Sequence, residues 1–244
     1  MNDAAVDTWL AALHARHVAP WRPIEFTKAL RALSVRYVER RGELPGKRAA
    51  FAAFYAPLHF LVVERIVAAL PEGARRVTSV TDLGCGTGVG AAAWAMSADP
   101  VAGVAGVDTN AWALEEAAWN WHTLGLSGRA RRGDLTGAVP ASPRPGAGLI
   151  CAWSVNEISP AGRAALLPAI LTFVERGGVA LVIEPLAKGV TPWWPEWTAA
   201  FGTIGGRADE WKFTPDLPPG LRDLSQRAGF RRDSLGARSL VAGV

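Results

Sequence analysis

The sequence predicts an α/β fold: helices over roughly the first seventy residues, then a mostly parallel sheet wound with further helices. Three observations predict it. Apolar residues recur at three- and four-residue spacing up to about residue 70. From Val77 the pattern changes to short apolar runs alternating with helical stretches, as in successive βαβ units. The first of those runs meets a glycine-rich turn, Asp82-Leu-Gly-Cys-Gly-Thr-Gly88.

In the N-terminal part the helical spacing passes through Val6, Leu10 and Leu13, then through Phe26, Leu30, Leu33 and Tyr37. Pro20, Pro23 and Pro45 divide it into about three helices, and 1–73 is expected to form a helical cap. The third helix, Lys47 to Leu70, is rich in aromatics, stops at Pro71-Glu-Gly73 and is expected to kink at Pro57.

Beyond it, strands are expected near Val77–Asp82, Val101–Asp108, Ala130–Gly133, Gly148–Trp153 and Gly178–Glu184, with helices at Gly88–Met96, Ala111–Leu124 and Ala161–Arg176. The tail reads as a helix, Leu221–Ala228, closed by Gly229. A hairpin follows, Phe230–Leu235 and Ala237–Val241, turning at Gly236. Between the fifth strand and that helix, 185–219 reads as a tryptophan-rich insertion in a sheet domain spanning 74–244.

Composition narrows the function classes. Half of the 244 residues are hydrophobic, which is enough for a buried core and excludes a disordered tail. Two cysteines, Cys85 and Cys151, and four scattered histidines give neither a disulfide framework nor metal-ligand spacing, so no metal is expected. No apolar run reaches the roughly 20 residues that span a bilayer, and the expectation is a cytoplasmic protein with no membrane partner. The net charge is +4, but the arginines are spread in short groups such as Arg40-Arg41, Arg75-Arg76, Arg131-Arg132 and Arg231-Arg232.

The glycine-rich turn follows a strand and opens a helix, so its backbone can approach a ligand at the helix N-terminus. A dinucleotide loop fits it poorly: counted from Gly84, the sixth position of Gly-x-Gly-x-x-Gly is Val89, and counted from Gly86 it is Ala91. Asp82, just before the first glycine, would repel a pyrophosphate and suits a ligand with a positive end. Asp108, at the end of the second strand, can accept hydrogen bonds from both hydroxyls of a ribose.

Residues 78–108 resemble class I S-adenosylmethionine-dependent methyltransferases: Val80-Thr-Asp-Leu-Gly-Cys-Gly-Thr-Gly88 is similar to their first motif and Gly106-Val-Asp108 to their second. The resemblance implies a Rossmann-like, seven-stranded, mostly parallel sheet ending in an antiparallel hairpin. It also implies S-adenosylmethionine as cofactor and S-adenosylhomocysteine as product. Asp82, Gly84, Cys85, Gly86, Thr87, Gly88, Asp108 and Thr109 would hold that cofactor. Gly133-Asp134-Leu135 is similar to the segment whose carboxylate meets the adenine amine, and Trp153-Ser154 would line the cofactor at the end of the fourth strand.

From Tyr55 to Gly189 the chain also resembles, on shorter motifs, the methyltransferase-like family of the mitochondrial small ribosomal subunit and its bacterial relatives. Trp94, Val155-Asn-Glu157-Ile-Ser and Val182-Ile-Glu184-Pro185 carry that likeness. The cysteine set of that family's cluster-binding members is absent.

Methyl transfer is an in-line displacement, so a protein aligns the nucleophile and excludes water. Asn156 and Glu157, directly after the fourth strand, are the candidates for touching the acceptor, Glu157 as base or as helix-start acid. The Asn/Asp-Pro-Pro-Tyr tetrad of many amino-methyltransferases is replaced by Ser154-Val-Asn-Glu157. Tyr55 and His59, one helical turn apart, and Trp193, Trp194 and Trp197 in the insertion are candidate acceptor contacts, the tryptophans as a lid or as a packing cluster. Trp112, Trp119 and Trp121 read as packing.

Three readings stand. The first is methyl transfer to a small molecule in an enclosed, aromatic-lined pocket. The second is a ribosomal RNA methyltransferase or small-subunit assembly factor, with RNA as partner. The third is a non-catalytic cofactor-binding protein.

Overall fold

The computed structural model describes residues 3–39, 47–230 and 234–244. Arg40-Arg41, Pro45, Arg231-Arg232 and the middle of the expected strand at Phe230–Leu235 lie outside the described residues, as does the side chain of Tyr37. The chain forms two compact units. One is a helical unit of residues up to His59 together with Phe213–Leu235; the other, Phe60–Lys212 with Gly236–Val244, carries the sheet.

In the helical unit, α1 (Asp3–His17) and α2 (Pro23–Glu39) bury the expected apolar stripe, with Trp9, Leu13, Phe26, Leu30 and Leu33 all buried. The third helix begins as α3 (Lys47–Ala50), passes through a π turn (Phe51–Tyr55) and continues as α4 (Ala56–Ala69). The Ala56 amide reaches back to the Phe51 carbonyl, and Pro57, which has no N–H to donate, follows directly at the second position of α4. The expected kink is therefore absorbed as a π turn.

The unit boundary differs from the expected cap at 1–73, because a distant segment joins it. Helix α9 (Pro219–Ala228) ends at Gly229 in the left-handed region, and Arg31 donates to the carbonyls of Ala228 (3.0 Å) and Arg227 (2.9 Å). A guanidinium at a helix C-terminus satisfies orphan carbonyls and opposes the negative end of the dipole. That long-range contact has no signature in local sequence.

Contrary to the hydropathy reading, the 23-residue helix Lys47–Ala69 is long and apolar enough to cross a bilayer by length and composition, with a mean hydropathy of 1.5 over its most apolar 18-residue window. Within the protein, 72% of that window is buried, as in a core helix.

The sheet has seven strands in the order β3-β2-β1-β4-β5-β7-β6. The strands are β1 (Ser79–Leu83), β2 (Gly103–Asp108), β3 (Gly128–Arg132), β4 (Ala147–Ala152), β5 (Val179–Glu184), β6 (Arg207–Phe213) and β7 (Leu235–Ala242). β1 to β5 are parallel, and β7 runs antiparallel to β5, placing Arg238 opposite Glu184. Helices α5 (Val89–Ser97), α6 (Ala111–Thr123) and α7 (Pro160–Glu175) make the crossovers. β5 is buried along its whole length, as its unbroken Val-Ala-Leu-Val-Ile run requires of a strand covered on both faces.

The last two strands differ from the expected hairpin. β6 lies inside the supposed insertion, with α9 between it and β7, and Gly236 sits within β7 rather than in a turn. A Cβ at Gly236 would stand 2.5 Å from Leu186 Cδ1 and 3.0 Å from the Trp211 carbonyl, so this glycine admits close packing. The insertion is thus a regular helix and strand, α8 (Trp194–Thr203) and β6, whose polar edge-strand sequence reads locally as a loop.

Trp193, Trp194 and Trp197 are buried in the hydrophobic cluster that includes Leu166, Ile170 and Phe173 of α7 and Ala180 and Val182 of β5. The Trp193 ring lies 5.6 Å from that of Trp194 and 4.8 Å from that of Trp197. These side chains are core, which matches the packing cluster rather than the lid of the two readings. With Trp197 only 1% exposed, Trp197→Ala is expected to lower unfolding free energy by about 3–5 kcal/mol in urea. A lid residue would leave the urea midpoint unchanged.

Candidate active site

The carboxyl ends of β1, β2 and β4 and the segment after β3 surround a cleft of about 470 Å³, within the size range of small-ligand sites. Gly84 stands at one wall, Asp108, Thr109 and Asn110 at the next, and Gly133, Asp134 and Leu135 beside them. Trp153, Ser154, Glu157 and Ile158, after β4, line it next to Gly84. This is the crevice where open parallel sheets take ligands.

The glycine loop is held from several directions. The amides of Gly84 and Cys85 both donate to the Val107 carbonyl, at 2.8 and 3.0 Å. Asp108 accepts from the Gly86 amide through Oδ2 and from the Asn110 amide through Oδ1, both at 2.8 Å. Each carboxylate oxygen keeps a further lone pair for a ligand. From α6, Asn120 Nδ2 donates to the Thr87 carbonyl (2.9 Å) and Trp121 Nε1 to that of Gly88 (2.8 Å). A Cβ at Gly88 would come within 2.7 Å of Trp121 Nε1, and one at Gly106 within 2.9 Å of the same indole. Trp121 therefore does more than pack: it clamps the loop.

Gly84 has a positive φ of 73°, and a Cβ there would lie 2.5 Å from Ser154 Cβ. The close approach lets Ser154 Oγ donate to the Leu83 carbonyl at 2.7 Å, locking β4's exit against the loop. Trp153 beside it has φ 55°, a left-handed conformation that costs a non-glycine residue about 1–2 kcal/mol. Its amide donates to Ile183 O (2.8 Å), so the sheet enforces that conformation where the side chain meets the cleft.

Asp82 departs from the expected role. It is 1% exposed and lies beneath the loop, its Oδ2 accepting from the Ala91 amide of α5 at 3.0 Å. Burial pushes its carboxyl up to about 7, against the pull of that amide. Cys85, Gly86, Thr87 and Gly88 shape the loop without lining the cleft, and burial raises the Cys85 thiol far above its ordinary value. Asp134 lines the cleft, and hydrogen bonds from the Thr136 hydroxyl (2.6 Å) and amide (2.7 Å) hold its carboxyl below the ordinary range.

Of the two residues after β4, Glu157 reaches the cleft and Asn156 turns inward. The Asn156 amide donates at 3.0 Å to Oε1 of Glu184, which is fully buried at the end of β5. Burial pushes the Glu184 carboxyl up to about 8 despite hydrogen bonds from the amides of Asn156 and Val155. Tyr55 and His59 belong to the helical unit, where Tyr55 packs against Phe51 and Phe54, and His59 sits edge-on to Phe51 at 5.9 Å.

Sequence reasoning missed Asn110 and Ile158 as cleft residues and Glu184, Asn120 and Trp121 as supports. Asn110 carried a usable signal, since an Asn just before a helical stretch is an N-cap, and its Oδ1 accepts from Ala113 N.

Residues 64–143 match the methyltransferase small domain. No curated protein matches the sequence. Among solved structures, the chain is similar to the mitomycin 7-O-methyltransferase MmcR, with a TM-score of 0.54 at 16% identity over 96% of this chain and 71% of that one. It is also similar to the precorrin-8w decarboxylase of Methanobacterium thermoautotrophicum, with a TM-score of 0.50 at 18% identity over 75% of this chain and 90% of that one. The fold is the Rossmann-like fold of class I methyltransferases.

The buried acids set an unusual pH dependence. Asp82 and Glu184 ordinarily titrate at 3.8 and 4.5 and are raised to about 7 and 8 when folded, so the folded chain binds protons that the unfolded chain releases. Their contribution is complete below pH 4 and is lost as pH rises through 7 to 8. The urea midpoint is expected to fall between pH 5 and pH 8, and Glu184→Gln to flatten the upper part of that fall. A midpoint rising over this interval contradicts the assignment.

Proposed function

We propose that the chain is an S-adenosylmethionine-dependent methyltransferase acting on a small molecule. The observation that carries the reading is Asp108: its carboxylate is fixed on both oxygens by backbone amides and still lines the cleft. A diol, with two adjacent hydroxyl donors, suits the lone pairs such a carboxylate keeps free. With Asp134 and Glu157 also lining it, the cleft carries three carboxylates, which oppose a pyrophosphate and suit a ligand bearing ribose hydroxyls, an adenine amine and a positive sulfonium.

Asp108 would hold the ribose, Asp134 and Leu135 the adenine edge, and Gly84, Trp153 and Ser154 the remaining wall. When bound, the cofactor supplies an electrophilic methyl group. The chain's part is alignment and exclusion of water, with no charge to generate for itself. Glu157, exposed and lining the cleft, is the carboxylate placed to orient an acceptor or take its proton, and Trp153 and Ile158 offer it apolar surface. Asn156 acts from beneath, by anchoring this turn to Glu184.

The acceptor reading is supported by the size of the cleft and by the small-molecule activity in the name of MmcR, whose fold this chain shares over most of its length. The tryptophan cluster lends it no support, since those rings lie in the core.

Calorimetric titration with S-adenosylmethionine and with NADH tests the reading. The wild type is expected to bind the first and not the second. Asp108→Ala is expected to weaken binding by about tenfold or more, the loss of a charge-assisted hydrogen bond worth about 1.5–3 kcal/mol. Preference for NADH, or unchanged affinity in the variant, overturns it. Glu157→Gln is expected to leave cofactor affinity within about twofold while slowing transfer about 100-fold if Glu157 is the base.

A further inference from the structure

Between β3 and β4 the chain supplies only a short turn of helix, Leu135–Gly137, where a doubly wound sheet would place a covering helix. Toward the start of β1 and β2 one face of the β1-β2-β3 half is therefore uncovered, while at their ends Leu83 and Val107 on the same face are buried in a cluster with Ala138. Ser79 and Ala105 on that face are exposed and Thr81 and Gly103 are half-buried, an unusual state for interior strands of a parallel sheet.

Arg129 and Arg131 project from β3 on the same face. A Cβ at Gly133 would lie 3.1 Å from Arg131 Nη1 and 3.2 Å from Val107 Cγ1, whereas one at Gly128 would meet Trp121 and Val104 on the opposite side. Register sets Arg129 beside Ala105 and Arg131 beside Val107. Both arginines are exposed, and neither makes a hydrogen bond or ion pair among the described residues. The positions sharing this face (Ser79, Thr81, Leu83; Gly103, Ala105, Val107) include no acid.

We propose that this face binds the phosphate backbone of a single-stranded nucleic acid. Two arginines at alternate positions of one strand stand about 6.4–6.8 Å apart, an interval that lets each take one phosphate of an extended strand. β3 is an edge strand, so its outward amides add phosphate donors. The uncovered part of the floor, Ser79, Thr81, Gly103 and Ala105, is small and lets a backbone lie close, and that part's lack of apolar bulk disfavours a packed helix or a second copy. Beyond Arg131 the face ends at Gly133 and Asp134 of the cleft, and the Asp134 carboxylate repels phosphate, so a bound strand would lie along Arg129 and Arg131 short of the cleft. The surface is independent of the methyl-donor reading and is measured without cofactor or acceptor.

The test is fluorescence anisotropy with a labelled 20-nucleotide polyuridylate, over a series of salt concentrations, on the full chain. The wild type is expected to bind at low salt, and Arg129→Ala with Arg131→Ala to weaken binding at least tenfold. The slope of log affinity against log salt should fall by about 1.4, at about 0.7 per single-strand phosphate contact. Lys28→Glu with Lys188→Glu, which alters charge elsewhere, is expected to change affinity less than threefold. Circular dichroism and an unchanged urea midpoint on the double-alanine variant show that it is folded. Absence of RNA binding, an equal loss in the lysine variant, or equally tight binding of a labelled polyglutamate peptide overturns the proposal.

Discussion

Much of the site hangs on the carboxylate of Asp108, which ties the Gly86 amide of the glycine loop to the Asn110 amide at the start of α6. Charge-assisted hydrogen bonds of this kind are about twice as strong as neutral ones, and here two elements share one anion. The same helix returns the support through Asn120 and Trp121, which take up the carbonyls of Thr87 and Gly88. Loop, strand end and helix form a closed circuit, which is why three glycines at positive φ can be held in one arrangement.

Around this circuit the chain buries acids that ordinarily face water. Asp82 supports the first turn of α5 and Glu184 supports the turn after β4, each by accepting backbone amides. An ionised carboxylate is costly in such surroundings, and both respond by holding their protons toward neutral pH. The strained backbone of Trp153 lies between these supports. Rigidity under the cleft is thus gained at some expense in stability, a common pattern where a site must be preformed.

The sheet is finished unequally at its two ends. On the β5 side, the tryptophans of α8 and its N-cap close a dense core with α7. On the β3 side a short loop replaces a helix, and arginines stand over small residues facing water. The same connection length that leaves the start of this face uncovered brings Gly133 and Asp134 to the cleft, so an open surface and a ligand wall come from one economy of chain.

The sequence by itself determined the order of strands β1 to β5 and their helices, because alternating apolar runs and helical spacing are local signals that burial on both faces forces. It also marked the glycine loop, Asp108 and Glu157 by residue type and position at a strand's end, and by family resemblance Asp134 and Ser154; of these Gly84, Asp108, Asp134, Ser154 and Glu157 line the cleft. Only the tertiary structure decided which of the remaining candidates face the cleft. Asp82 and Asn156 turn inward, Trp193, Trp194 and Trp197 are core, and Tyr55 and His59 pack in the helical unit. It also decided that β6 and α9 separate the strands expected as a hairpin, and that residues 213–235 join the N-terminal helices. The physical reason is the same throughout: a side chain's direction and a segment's partner are set by contacts between residues far apart in the chain, such as Arg31 with the end of α9, and no local pattern encodes them.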